Sequence, residues 1–300
     1  MCYNVTYNIF KGSDGIMLDK KLRVLIVGLG LIGGSYARRL TSMGYTVTAI
    51  DTDSESVDYA LREGIVVAAD TEVNPTLVRE TDIIVFALYP QKFIEWIKEY
   101  QHLISQGCII TDVTGVKSCV VGEIQGILRP DVEFIAAHPM AGREVSGVQN
   151  SRADLFEGAN YIVVPTERNT PAAIEVCRQL GETLGFANIS VLSPEEHDDI
   201  IGFVSQLTHC IAVSLMTCSD CAHLVDYTGD SFRDLTRIAR INDKMWSELF
   251  LLNRPALLRQ MEVFMDEFKN MYDLLESGDR EGLREKMRLS TERRMWFDKK

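Results

Sequence analysis

The sequence predicts an α/β fold with two parts: a doubly wound parallel sheet, then an all-helical unit. Three observations carry this. Short β-branched apolar runs alternate with helical segments from residue 22 to residue 192. The first run flows directly into a glycine-rich turn and a helix. After Ser193-Pro194 the texture changes, and no convincing strand follows to Lys300. The division expected is a loose N-terminal extension over 1–20, an α/β domain over 21–192 and a helical domain over 193–300.

Each element has a local reason. Residues 22–28 (LRVLIVG) read as a strand buried on both faces. The helix after the glycine turn stops at Gly44, and 45–51 (YTVTAID) reads as the next strand. Ser54 is a plausible N-cap for the helix that follows. Further strands are expected at 82–88, 108–113, 133–139, 161–166 and 188–192, with a helix over 172–184. In the second part, Leu257, Leu258, Met261, Phe264, Phe268, Met271, Tyr272 and Leu275 fall near one helical stripe. A helical domain this small has limited room to bury such a stripe, so dimerisation through it is expected. Residues 280–300 read as a solvated amphipathic helix.

Charge and cysteine usage exclude several functions. Lys+Arg is 31 and Asp+Glu is 43, a formal net charge of −12. A general nucleic-acid binder needs a basic face to displace counterions, and anionic lipid asks for the same sign. Neither partner is expected, although a local pocket can still be positive. No run of 18 uninterrupted apolar residues suggests a membrane span, and residues 1–20 do not resemble a secretory signal. Seven scattered cysteines suggest reduced thiols and a cytoplasmic enzyme rather than a disulfide frame. Cys218 and Cys221 form a C-x-x-C, read as small side chains packed in a helix, with no metal site expected.

Gly28-Leu29-Gly30-Leu31-Ile32-Gly33 is G-x-G-x-x-G between a strand and a helix. Asp51 stands at the next strand end, 23 positions after Gly28. This is the context that a Rossmann-type dinucleotide site requires. The glycines allow the tight turn, the approach of a pyrophosphate and close helix packing. Asp51 would accept hydrogen bonds from ribose hydroxyls and repel a 2′-phosphate, and Thr52 offers no compensating charge. NAD is therefore favoured over NADP.

A second set of residues points to a substrate. His138, in HPMAG, stands at the end of the fifth expected strand, where ligands bind in doubly wound sheets. Imidazole there is a candidate general base. Glu144 could orient or gate it. Arg233, Arg237 and Arg240 are spaced i, i+4, i+7, so one helical face would carry three guanidiniums suited to carboxylates. The plain alternative is ion pairing with Asp230, Asp234 or Asp243. His209 lies on an apolar helix, where a histidine is commonly a satisfied core residue.

Together these segments resemble the prephenate dehydrogenase family. VGLGLIGGS, TDVTGVK, HPMAGREVSG, LFEGANYIVVPT, EEHDDIIGFVSQLTH and FRDLTRIARINDKMWSELFLLN stand in the family's order, from about residue 22 onward. The resemblance implies NAD-dependent oxidative decarboxylation of prephenate, or of its amino analogue arogenate, in tyrosine biosynthesis. It implies that His138 takes the ring-hydroxyl proton and that Arg237 binds a substrate carboxylate. Arg233 keeps the charge of a lysine found in relatives. His209 matches the second histidine of an S-H-L-P-H motif lining the substrate pocket. Trp246 matches a residue that reaches the neighbouring subunit's site. The helical domain matches the family's dimerisation domain.

Three positions depart from the pattern. The serine of a G-S-V-K loop is Gly115 here, with Thr114 or a water as its expected substitute. The first histidine of S-H-L-P-H is Gln206. Arg143 stands where some relatives have threonine, and its charge favours prephenate over arogenate. No fused ACT or chorismate mutase domain is expected, so any inhibition by tyrosine would act at the active site. The other readings are a two-domain β-hydroxyacid-type dehydrogenase, which does not predict HPMAG or TRIA, and a non-catalytic NAD-binding sensor.

Overall fold

The computed structural model describes residues 10–11 and 18–298. Most of the expected 1–20 extension therefore lies outside the described residues. The elements run β1 (Phe10–Lys11), β2 (Arg23–Val27), α1 (Leu31–Ser42), β3 (Thr46–Ile50), α2 (Ser54–Arg62), β4 (Ala68–Asp70), α3 (Pro75–Arg79) and β5 (Ile83–Phe86). Next come α4 (Pro90–Tyr100), β6 (Ile109–Asp112), α5 (Ser118–Ile127), β7 (Glu133–Phe134), β8 (Ala136–Met140), β9 (Asn160–Val164), α6 (Pro171–Leu184) and β10 (Asn188–Val191). The helical part holds α7 (Pro194–Ile201), a π-helical segment (Gly202–Leu207), α8 (Thr208–Thr217), α9 (Asp230–Thr236), α10 (Asp243–Leu252), α11 (Arg254–Glu276) and α12 (Arg280–Arg294).

A six-stranded sheet, β4-β3-β2-β5-β6-β7, is parallel throughout. Apolar clusters cover both of its faces, which is why Val24, Leu25 and Ile26 of β2 are all fully buried. Asp53, one residue before the expected Ser54, caps α2 by accepting from the backbone N–H of Glu55 and Ser56.

The expected strand over 133–139 is in fact two strands in two sheets. β7 continues the parallel sheet, while β8 pairs antiparallel with β9 in a second sheet, β1-β10-β9-β8. The cause is local. Ile135 N–H still donates to the Ile110 carbonyl, but Ala137 N–H donates to the Asp112 side chain at 3.1 Å. A carboxylate replaces the next backbone acceptor, so the chain leaves the first sheet there. That exit carries His138 onto β8, opposite Ile162.

Two other expectations fail. The three arginines do not share a helical face, because α9 ends at Thr236, Arg237 opens a short 3-10 turn and Arg240 is extended. Cys218 and Cys221 are not packed in a helix: Cys218 caps α8, Cys221 lies beyond it, and both are exposed. No cluster of metal-ligating side chains occurs among the described residues.

Candidate active site

The turn after β2 is built to receive an anion. Gly28 has φ +102°, and a Cβ there would lie 2.5 Å from the Ala87 carbonyl oxygen. A Cβ on Gly33 would lie 1.9 Å from the Gly28 carbonyl oxygen, so only glycine lets α1 pack this close. Gly30 differs, since a Cβ there meets nothing within 4 Å. It is the N-cap of α1, with no side-chain cap and no acidic residue in the first turn. The N–H groups of Leu31 and Ile32 thus point from a helix start into open space, as a pyrophosphate requires. Asp51 accepts from Leu29 N–H and, at 2.8 Å, from Asp53 N–H. It ties the turn to the end of β3, with lone pairs left for ribose hydroxyls. These residues fit NAD.

This gives a clean test. Gly30 has φ −76°, which alanine adopts freely. Gly30→Ala is expected to leave the melting temperature unchanged and to weaken NAD binding by roughly tenfold or more, ~1.4 kcal/mol, by titration calorimetry. Gly33→Ala, by contrast, is expected to lower the melting temperature itself. Unchanged NAD affinity in Gly30→Ala would place the pyrophosphate elsewhere.

His138 is partly buried on β8. Its Nδ1 lies 2.9 Å from Nε2 of His197 on α7. His197 Nδ1 is 2.8 Å from Asp198 Oδ1. Asp198 also accepts from the backbone N–H of Lys117 and of Ser118, each at 2.8 Å, where α5 begins. Burial pushes its carboxyl up, but His197 and then Ser118 N–H outweigh that and hold it below the usual range. Burial pushes both imidazoles down, His138 well below the ordinary histidine value.

Beneath this row lies a fully buried ion pair, Lys117 Nζ to Asp112 Oδ2 at 2.6 Å. Asp112 therefore bonds Lys117, Ala137 N–H and Thr114. The Thr114 hydroxyl meets Asp112, Lys117 and the Val116 carbonyl. It is committed inward, so Thr114 does not stand in for the missing serine. At Gly115 a Cβ would lie 3.9 Å from His138 Cε1 and 3.5 Å from Leu249. The loop after β6 thus runs past the imidazole, with α10 on its other side.

The remaining candidates form a second cluster. His209 stacks on Trp246 of its own chain, ring centroids 3.7 Å apart. Its Nδ1 donates to the Ser205 carbonyl at 2.9 Å, and Nε2 has no hydrogen-bond partner among the described residues. Arg237 forms an ion pair with Glu144, and both charges bear on His209. Arg233 pairs with Asp230 on the exposed side of α9. The π-helical segment rotates α8 relative to α7, which sets the face on which His209 emerges. α10 docks on α4 through Glu248, which accepts from Gln91 N–H at 2.9 Å. A cleft of about 490 Å³ opens elsewhere, near Arg38 and Arg152, whose guanidiniums already bond Ser151 and Asp154.

Sequence reasoning singled out neither His197, Asp198, Lys117 nor Asp112. One signal was available. Pro194, His197, Asp198 and Ile201 are the buried residues of α7, spaced i, i+3, i+4, i+7. A histidine and an aspartate on a buried stripe need partners.

Residues 36–190 match the family model described as prephenate dehydrogenase, nucleotide-binding domain. Residues 193–289 match prephenate dehydrogenase, dimerization domain. The first match begins just past the glycine turn. A prephenate dehydrogenase of Bacillus subtilis is 30% identical over 276 residues, covering 89% of this chain and 74% of that protein. A cyclohexadienyl dehydrogenase of Zymomonas mobilis is 29% identical, covering 91% and 94%. The crystal structure of prephenate dehydrogenase from Aquifex aeolicus with hydroxyphenyl propionate and NAD+ superimposes with a TM-score of 0.86 at 29% identity, covering 92% of this chain and 98% of that one.

Proposed function

We infer that this chain, which belongs to the prephenate dehydrogenase family of NAD-dependent oxidoreductases, oxidatively decarboxylates prephenate to 4-hydroxyphenylpyruvate and carbon dioxide. The observation that carries the residue-level reading is His138. It stands at the strand exit beside the loop after β6, with one ring nitrogen anchored on His197 and the other unbonded among the described residues. NAD, when bound, supplies the acceptor for the hydrogen and electron pair leaving the ring. Gly28, Leu29, Gly30, Leu31, Ile32, Gly33 and Asp51 would hold it.

His138 accepts the proton of the ring hydroxyl at Nε2. A carbonyl develops at that carbon as the C–H bond breaks, so a base placed there stabilises the transition state rather than the ground state. Loss of the ring carboxylate as carbon dioxide then restores aromaticity. Arg237 receives a substrate carboxylate. It must first leave Glu144, and an exposed ion pair contributes only ~0–1 kcal/mol, so the exchange costs little. His209 and Trp246 form the pocket wall. Arg143 supports prephenate over the zwitterionic arogenate, although the Zymomonas relative bears a dual-substrate name.

The deciding experiment is NADH absorbance with prephenate and arogenate side by side, each with NAD and NADP. Turnover is expected to be fastest with prephenate and NAD. Turnover of a 3-hydroxyacid alone would overturn the reading. Arg237→Gln is expected to raise KM for prephenate roughly ten- to a hundredfold, the equivalent of about 1.5–3 kcal/mol for a charge-assisted bond. An unchanged KM would leave the arginine as a partner of Glu144 only.

The working unit is proposed to be a homodimer formed through the helical part. Of the stripe on α11, Leu257 is buried, while Phe268 and Leu275 remain 67% and 62% exposed in the single chain. Apolar surface of this extent marks an interface. One helix, Pro194–Thr217, is long and apolar enough to cross a membrane by length and composition. A second copy covering this surface fits a cytoplasmic enzyme better than lipid does. Sedimentation is expected to give twice the monomer mass, and a monomer at assay concentration would overturn the dimer.

A further inference from the structure

We propose that His197 and Asp198 are positioning residues that fix the ring tautomer of His138 and share the charge it acquires. The inference rests on the reading of His138 as the proton acceptor. It follows from donor and acceptor bookkeeping along one row of atoms.

Asp198 is the fixed point. Its two carboxylate oxygens accept from Lys117 N–H and Ser118 N–H at 2.8 Å, and Oδ1 also faces His197 Nδ1 at 2.8 Å. An oxygen pair that already accepts backbone N–H groups at a helix start is an anion and has no proton to give. His197 Nδ1 therefore carries the hydrogen. A neutral imidazole with its proton on Nδ1 has a lone pair on Nε2. That lone pair faces His138 Nδ1 at 2.9 Å, so His138 Nδ1 is the donor of that bond. The proton of neutral His138 is thus used up on the protein side, and its Nε2 lone pair is left for the substrate hydroxyl. The opposite assignment requires either a protonated Asp198 or a resting imidazolium at the fully buried His197, which burial opposes.

The same row acts during the reaction. When the hydroxyl proton arrives at His138 Nε2, the ring becomes an imidazolium whose Nδ1–H still points at His197 Nε2. His197 accepts that bond more strongly from a cation, and its own Nδ1–H leans on the Asp198 carboxylate. The positive charge is stabilised by a negative one two hydrogen bonds away, with no change in proton count. The fully buried His197 cannot be bypassed by water.

The first test reads the tautomer without activity. In uniformly ¹⁵N-labelled full-length protein, imidazole ¹⁵N–¹H correlation is expected to find His138 protonated on Nδ1 and unprotonated on Nε2, with His138→Asn used to assign the ring. A proton on His138 Nε2 would overturn the proposal. The second test is kinetic. His197→Asn keeps a donor toward Asp198 but loses the acceptor toward His138. It is expected to lower kcat by roughly a hundredfold, with KM for prephenate and NAD affinity near wild type. His197→Gln places an amide oxygen near the Nε2 position and is expected to regain most of that loss. Near-normal kcat in His197→Asn, or no rescue by Gln, would overturn the proposal. Failure of the wild-type chain to turn over prephenate would instead defeat the functional reading and leave the tautomer result standing.

Discussion

His138→Asn is expected to lower kcat with prephenate by roughly 10²–10⁴-fold, the usual contribution of a positioned general base. Asparagine keeps a polar contact toward His197 but has no basic nitrogen at the substrate side. Because the ring lies on an established strand pair with Ile162, folding and NAD affinity should change little. The pH dependence carries a second check on the same residue. Burial first, then His197 and Lys117, hold His138 well below the ordinary value of about 6.5. A base works only when neutral, and a depressed value keeps it neutral to lower pH. The acid limb of kcat/KM is therefore expected below the usual histidine range, with a flat profile through neutrality. In His138→Asn that limb should vanish. A variant with near-normal kcat, or an acid limb unchanged by the substitution, would remove His138 from the mechanism.

The cofactor turn was legible in the sequence because its logic is local. A strand, three glycines, a helix start and an acidic strand end all lie within 29 positions, from Arg23 to Asp51. The substrate side was legible only in pieces. His138 could be placed at a strand end, but its partner His197 is 59 positions away, in the acidic run EEHDD, whose spacing alone points to no partner. Only the chain path brings α7 against β8. The split of 133–139 into two strands was hidden for a related reason. EFIAAHP is apolar and unbroken, and the switch is made by Asp112, on another strand. The arginine face failed through a boundary. Periodicity assumed a helix through Arg240, whereas α9 stops at Thr236, Arg237 opens a 3-10 turn and Arg240 is extended. Long helices tolerate an error of a turn in such arguments, but a seven-residue helix does not. The apolar stripe of α11 was readable because helical periodicity is local, and Phe268 and Leu275 on it remain exposed in the single chain.

Lys117→Met is expected to cost about 3–5 kcal/mol of stability, the scale for removing one partner of a buried ion pair. Among the described residues no charge in the α/β part is more deeply enclosed: Lys117 and Asp112 have side chains with no exposure, 2.6 Å apart. Burial pulls the lysine down, while Asp112 and then Asp198 oppose that pull. Methionine matches the aliphatic stem and leaves Asp112 with only neutral donors, Thr114 and Ala137 N–H. An anion in a dry site without a cation is the expensive outcome. For a chain of this size, the loss corresponds to a fall in melting temperature of roughly 6–20 °C. The double variant Lys117→Met with Asp112→Asn removes the orphaned charge and is expected to recover a large part of the loss, since an amide oxygen can still accept from Ala137 N–H. The backbone N–H of Lys117 that holds Asp198 is untouched by the substitution. At temperatures where the single variant stays folded, kcat should therefore fall much less than in His138→Asn. An unchanged melting temperature would mean that the pair contributes no net stability, and a double variant no better than the single one would mean that the lysine acts through packing rather than charge.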